Sequence, residues 1–332
     1  MTVAVPDTFL WLTEAEVCQL VGLKDVIDGL EKGLRLEARG EARNMAKAQL
    51  VWPGASLNVT GAQFTGDGLV GAKVWTNAHG GSATVLVMHG AEDGQIRAII
   101  EAVALGQMRT AALSAVATKW LSLADADELA IIGTGKQSMS QVAAVAAVRD
   151  LGRVRVFSPN VERRAQFAAQ LRAGFDFEVT DCTSVEAAVK DAPIISTFTR
   201  AKEPFLTQSM VAPGSHINVG GAIIPANAEI DQDILPRCSL VVCDNLAQVR
   251  QNSKELRDYY DSGQGSWDDV VPICKLVEAA KPRGAGADIT IFKFMGMGLA
   301  DMAAGTEIYR RARDLGVGTE YPHPQRSTPR LT

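Results

Sequence analysis

The chain has little of what marks the more easily recognised classes of protein. Its five cysteines (Cys18, Cys182, Cys238, Cys243, Cys274) are scattered and odd in number, with no Cys-x-x-Cys pair. That excludes a disulfide framework and reads as reduced, mostly buried thiols of a cytoplasmic protein. The four histidines (His79, His89, His216, His323) stand far apart, without metal-ligand spacing. No His-Glu-x-x-His segment or serine nucleophile elbow is present, so zinc-protease and serine-hydrolase chemistry have nothing to rest on. No apolar run approaches a membrane span, and the N-terminus lacks a basic stretch leading into a long apolar one. Neither a membrane helix nor a signal peptide is expected. Runs of Lys and Arg are missing too, and the formal net charge is −5. Nucleic acid and anionic membrane are therefore excluded as expected partners.

What is present is 332 residues of ordinary globular composition, 47% hydrophobic and 21% charged, enough for two domains with real cores. One stretch stands out. Leu129 to Ile132 is an apolar run that meets Gly133-Thr134-Gly135, then an Ala/Val helix pattern, then a second apolar run from Val154 to Phe157. Strand, glycine turn, helix and strand in about thirty residues is the context of a dinucleotide fingerprint. The turn lets backbone N–H groups at a helix N-terminus face a pyrophosphate. Ser138 takes the third glycine position, and its small side chain suits close helix–strand packing.

Ahead of this unit, Thr13-Glu14-Ala15-Glu16 fits a capping box, and Val26, Ile27, Leu30 and Leu34 share one face of a helix over about 24–37. Between about 48 and 102, short strand-like runs are split by Gly, Pro, Asn and Asp, as hairpins require. An Ala-rich helix over about 108–123 then leads into the glycine turn. Beyond residue 160, strands are expected at 177–179, 193–197, 216–219 and 240–243, with helical or loop segments between them. That alternation predicts a parallel sheet covered on both faces. A last amphipathic helix follows residue 289, and the tail from Tyr321 is polar, proline-rich and expected to be loose.

Several residues carry chemical meaning. An acid at the end of the second strand of such a unit pairs with the ribose of NAD and repels a 2′-phosphate. Here the place is held by Ser158-Pro159-Asn160, with Arg163 and Arg164 close behind. A hydroxyl with guanidinium groups nearby suits a phosphate, which favours NADP(H) and leaves NAD(H) open. The two arginines are equally readable as a solvated helix face. Lys73 lies in an apolar strand on the face of Gly71 and Trp75; taken alone, such a lysine is a rim charge. Arg109 opens a helix, where a cation is electrostatically awkward and invites an anionic partner, a carboxylate side chain or a bound ligand. Thr197 and Thr199 follow an apolar strand at the end where open α/β sheets bind ligands, although such threonines also simply cap turns.

These segments together resemble the ornithine cyclodeaminase/mu-crystallin family over nearly the whole chain. The motifs are Gly71-Ala72-Lys73-Val74, the run from Gly106 to Ala112, Ile132-Gly133-Thr134-Gly135-Lys136-Gln137, the run from His216 to Ala222 including Val219 and Gly220, and Gly296 to Asp301. The resemblance implies an α/β subunit: a Rossmann doubly wound parallel sheet, about 118–300, plus a discontinuous α+β substrate and dimerisation domain, 1–117 with 301–332. It implies a homodimer, with active sites in the cleft between the domains. It further implies that Lys73 and Arg109 engage a substrate carboxylate, with Arg43 as the nearest match to a third cation. The dinucleotide would be held by Thr110, Gly133, Thr134, Gly135, Lys136, Gln137, Ser158, Asn160, Arg163, Thr197, Thr199, Val219 and Gly220.

Two departures bear on the reaction. Ile223 stands where cyclodeaminases of the family carry an aspartate that handles the substrate amine, and isoleucine can neither take a proton nor pair with an ammonium. The usual Met-Pro is replaced within Asn58-Val59-Thr60-Gly61. The expectation is a reductase that passes hydride from NAD(P)H to the C=N carbon of a small 2-imino acid. The alternatives are a cyclodeaminase-type ammonia lyase using NAD catalytically, and a non-catalytic NADPH-binding protein.

Overall fold

The computed structural model describes residues 7–284 and 286–331. Two eight-stranded sheets organise them. The first runs in the order Thr319–Pro322, Thr8–Leu12, Ile96–Glu101, Thr84–Gly90, Leu69–Asn77, Ala55–Phe64, Ala42–Asn44, with Ala48–Trp52 paired onto Ala55–Phe64. It is antiparallel apart from the Thr8–Leu12/Ile96–Glu101 pair. Side chains alternate across it as strand geometry demands. Leu10, Leu12, Leu86, Met88, Ala98 and Ile100 point to one face and are buried, against helices Leu23–Ala38, Val103–Leu121 and Gly298–Leu315. Two glycines let the last of these helices press onto the strands. A Cβ on Gly298 would lie 2.3 Å from the backbone of Gly61, and one on Gly71 would lie 2.7 Å from Met302 Sδ.

The second sheet is parallel at every pairing, in the order Glu178–Asp181, Arg153–Phe157, Glu128–Ile132, Ile194–Thr197, His216–Val219, Ile289–Lys293, Cys238–Cys243, Val270–Pro272. The chain builds outward one way from Glu128–Ile132 and then the other way from Ile194–Thr197. Their boundary is a topological switch point, where the loops at the strand C-termini part and leave a crevice. The mixed α/β class expected from the sequence is the one observed.

Some elements differ from expectation. The capping box at Thr13 forms, with Thr13 and Glu16 bonding reciprocally. The tail is not wholly loose: Thr319–Pro322 pairs with Thr8–Leu12, and Tyr321 stacks on Phe9 with ring centroids 5.8 Å apart. Strands Ile289–Lys293 and Val270–Pro272 lie in a region expected to hold only helix and loop. Among the described residues no helix is long and apolar enough to cross a membrane.

Candidate active site

Asp301 organises the cleft between the two sheets. It sits in the first turn of Gly298–Leu315, where a carboxylate is favoured by the helix dipole, and is fully buried. Its Oδ1 accepts from Lys73 Nζ at 2.7 Å, and its Oδ2 accepts from Thr60 Oγ1 at 3.0 Å. Arg109 Nε stands 2.8 Å from Oδ1, an ion-pair contact without the alignment of a hydrogen bond. Thr60 and Lys73 are cross-strand partners, which fixes them on the same face. Gly106 lies beside the lysine, its ideal Cβ position 3.6 Å from Nζ, an ordinary contact distance. Arg109 lies one turn further along that helix, beside Gly296, whose ideal Cβ is 3.6 Å from Nη1. Lys73 is thus no rim charge. It is 3% exposed, with Nζ 4.9 Å from the centroid of the Trp75 ring.

Two buried or half-buried cations round one carboxylate leave the cluster positive. Burial is the main influence pulling Lys73 down to about 8, and Arg109 pushes the same way against the pull of Asp301. Lys47 joins the same field. Burial and then Arg109 lower its ammonium, while Asp244 opposes them. Asp244 is buried and holds the loop on which Arg109 rests, accepting from Met295 N at 3.0 Å and Gly296 N at 2.7 Å. Burial pushes its carboxyl upward.

Arg43 is not brought to this cluster. It pairs with Gln63, which pairs with Val70, and that line of residues lies on the opposite face from Lys73. The third cation in the field is Lys47. The intervening Met45 and Ala46 carry the chain off the strand and round to the cleft side, a path that strand alternation cannot foretell.

The crevice of the parallel sheet is built by glycine. Gly133 has φ +111°, and a Cβ on it would lie 2.5 Å from Phe198 O; only glycine fits so close to the neighbouring strand-end loop. Gly135 faces open space, and with Lys136 it is exposed, while Thr134 and Gln137 are half-buried at the entry to helix Ser138–Ala146. Gly220, after the buried Val219, packs under the rings of Phe198 and Phe294. This arrangement fits a dinucleotide: an uncluttered glycine turn at a helix entry, at the switch point. Thr110 lies one turn from Gly106 and donates to its carbonyl at 2.7 Å.

Other expected contacts are engaged within the protein. Thr197 Oγ1 and Thr199 Oγ1 both donate to Glu229, at 2.9 and 2.7 Å, so these hydroxyls brace the loop. Asn160 caps helix Val161–Gly174 by accepting from Arg163 N at 2.9 Å. Arg164 is buried, ion-paired to Asp181 and donating to Ser158 O at 2.9 Å, so it is structural rather than a solvated face; Arg163 is exposed. His216 and Asn218 point inward. Burial drives His216 down to about 3, and Asn218 Nδ2 donates to Thr118 Oγ1 at 3.0 Å, tying helix Val103–Leu121 to the sheet.

Fold and crevice together define a dinucleotide-binding subunit. The chain belongs to the ornithine cyclodeaminase/mu-crystallin family, whose model it matches over residues 9–316. It is 26% identical to the alanine dehydrogenase of Archaeoglobus fulgidus over 321 residues, 94% of this chain and 97% of that enzyme. It is 32% identical to the ketimine reductase mu-crystallin of Rattus norvegicus over 217 residues, 65% of this chain and 66% of that protein. Among solved structures, the Thermococcus litoralis Delta(1)-pyrroline-2-carboxylate reductase with NADH and L-proline superposes with a TM-score of 0.87. At 24% identity that match covers 94% of this chain and 99% of the other, and speaks for the fold.

Proposed function

We propose that the chain, an NAD(P)-dependent oxidoreductase of this family, reduces a small 2-imino acid to the amino acid. The observation that carries this reading is the Asp301-bound pair of Lys73 and Arg109, a positive cluster facing the cleft beside a glycine crevice. Arg109 and Lys73 would take the substrate carboxylate, Arg109 through its free guanidinium edge, with Lys47 replacing Arg43 as the third cation. Fixing the carboxylate fixes the C=N carbon one bond away, and that positioning supplies much of the rate. Bound nicotinamide would supply the hydride. Ile223, 41% exposed on the loop after Gly221, offers the substrate amine nothing to pair with, which weighs against the cyclodeaminase alternative. Relatives named as ketimine and pyrroline-2-carboxylate reductases support the reductase reading. The test is oxidation of NADPH or NADH by purified protein with cyclic ketimines, and with 2-oxo acids plus ammonia or methylamine. Oxidation with any of them is the expected result. Ammonia release from ornithine with catalytic NAD and no oxidation elsewhere would favour the lyase, and silence in both with cofactor bound would favour a binding protein.

Two further points belong to the reading. NADP(H) is the preferred cofactor, because Ser158 and the exposed Arg163 stand where an acid would reject a 2′-phosphate. Ser158→Asp is expected to weaken NADPH binding by about tenfold or more and spare NADH, since it sets a carboxylate against the phosphate. Equal affinities for the two cofactors in the unmodified protein would refute the preference. The proposed division is 1–117 with 301–332 and 118–300; that the two sheets fall on either side supports it, while helices Val103–Leu121 and Gly298–Leu315 each cross one of its boundaries. The uncovered face of the first sheet carries Trp11, Val70, Val74, Val85, Val87 and Ile99, all half-buried or exposed. A second copy of the chain would cover it, and a purely 35.4 kDa species in sedimentation at micromolar concentration would rule that out.

A further inference from the structure

The face of the first sheet that carries Lys73 continues outward as a regular ladder. Thr60 pairs with Lys73, Asn58 with Trp75 and Ser56 with Asn77, so these six residues line one surface. At its outer end Gln49 and Val51 join through their pairing with Asn58 and Ser56. There the sheet meets the loop after His216–Val219 and forms a wide, solvent-open cavity of about 570 Å³. Val51, Ala55, Ala78, Ile224 and Pro225 supply apolar walls. Asn77 lies four residues along the strand from Lys73, about 13 Å at the usual rise. The cavity thus lies on the same face of the sheet as Lys73, with Trp75 between the two in the register.

Two features specify what this space accepts. First, no carboxylate, lysine or arginine lines it, and His79 is its one ionisable side chain among the described residues. A substrate with a distal ammonium would find no counter-charge. Second, Gln49 and Ser56, two of its polar lining residues, are bonded through Asn58 beneath them. Gln49 Nε2 donates to Asn58 Oδ1 at 2.7 Å, and Asn58 Nδ2 donates to Ser56 Oγ at 3.0 Å. The buried Asn58 thus makes no demand on a ligand. On the facing loop the two positions before Pro225 are isoleucines, 41% and 46% exposed, and the second of them, Ile224, lines the cavity. Exposed β-branched apolar residues rimming a cavity gain by being covered with apolar surface.

We propose that this cavity is the substrate's side-chain pocket and that it takes a bulky, uncharged apolar group, aryl or branched alkyl. The inference rests on the reductase reading, with the carboxylate at Lys73 and Arg109. A methyl side chain spans less than one residue rise of about 3.3 Å and leaves the cavity unfilled. A benzyl or isobutyl group extends past Trp75 toward Val51 and Ile224 and covers part of that apolar surface.

The test compares kcat/KM for imines formed from methylamine with phenylpyruvate, 4-methyl-2-oxopentanoate, pyruvate, oxaloacetate and 2-oxoglutarate. The aryl and branched imines are expected to exceed the pyruvate imine by about tenfold or more, the worth of filling an apolar pocket. Ile224→Asp, at an exposed loop position where the fold is not at stake, should bring that ratio toward one. A best rate on oxaloacetate or 2-oxoglutarate would show that His79 makes this an anion site and would overturn the inference. So would a ratio near one in the unmodified protein, or a ratio indifferent to Ile224→Asp. In each of those cases the reductase reading survives. Failure to oxidise the cofactor with any imine, cyclic ketimines included, would remove that reading and this inference with it.

Discussion

Replacing Asp301 by asparagine is expected to move the alkaline limb of kcat/KM toward acid by about two pH units or more. Two effects compete. Removing the carboxylate frees Lys73 and Arg109 for a substrate anion, which favours binding. It also removes the counter-charge 2.7 Å from Lys73 Nζ that keeps a buried ammonium protonated beside Arg109. At an effective dielectric constant near 20, a contact of this length is worth on the order of a few kcal/mol, so the second effect dominates at neutral pH. In the unmodified protein Lys73 is cationic below about 8. Capture of a carboxylate should then be flat in acid and fall as pH rises through that value, because kcat/KM reports the free enzyme. In Asp301→Asn the fall comes earlier, and at pH 7.5 a two-unit shift should cost about 25-fold. At pH 6 the loss should be much smaller. Cofactor titration, which reports on the glycine crevice at Gly133, should stay unchanged. A variant with the same limb as the parent would show that Asp301 does not set the charge of Lys73.

How far this site can be read from residues alone depends on whether the signal is local. The glycine turn is local: Gly133 is demanded by a positive φ and a neighbouring carbonyl, and strand and helix flank it within a few residues. Lys73 and Arg109 are legible as anomalies, a charge among packing residues and a cation near a helix start. Asp301 is not, because an acid in a helix's first turn needs no further explanation. Only the fold brings it to Lys73, 228 positions away in the chain. Arg43 misleads for a related reason. In a three-residue strand the phase of the alternation decides which face a side chain takes, and three residues do not reveal it. Thr319–Pro322 is hidden because an exposed edge strand has no buried face to impose apolar alternation. Ile289–Lys293 ends on a fully buried lysine, whose partner Glu255 again lies far off in the chain.

Glu229→Ala is expected to cost at least about 3 kcal/mol of stability and to loosen the cofactor by about tenfold or more, although Glu229 itself is fully buried. The carboxylate gathers the loops on one side of the switch point. It accepts from Thr197 Oγ1 at 2.9 Å, Thr199 N at 2.6 Å and Thr199 Oγ1 at 2.7 Å after one strand. After the next it accepts from Gly221 N at 2.7 Å and Ala222 N at 3.2 Å. Its own backbone N–H is held by Glu255, which is paired with Lys293, and Lys293 Nζ donates to Ala222 O at 2.7 Å. Truncation therefore orphans several donors at once in a site closed to water, and each unmet buried donor costs about 1–3 kcal/mol. The loop carrying Phe198 would also lose the position that closes over Gly133, where the fit leaves no slack. Glu229→Gln keeps the volume but sets an amide donor against the donors that one oxygen now serves, so it should fall between parent and alanine variant. Urea midpoints with an unchanged slope would measure the stability loss, and quenching or enhancement of NADPH fluorescence would measure affinity. An alanine variant with parental midpoint would mean that water replaces the carboxylate. Lost stability with parental cofactor affinity would mean that these loops hold their shape without it.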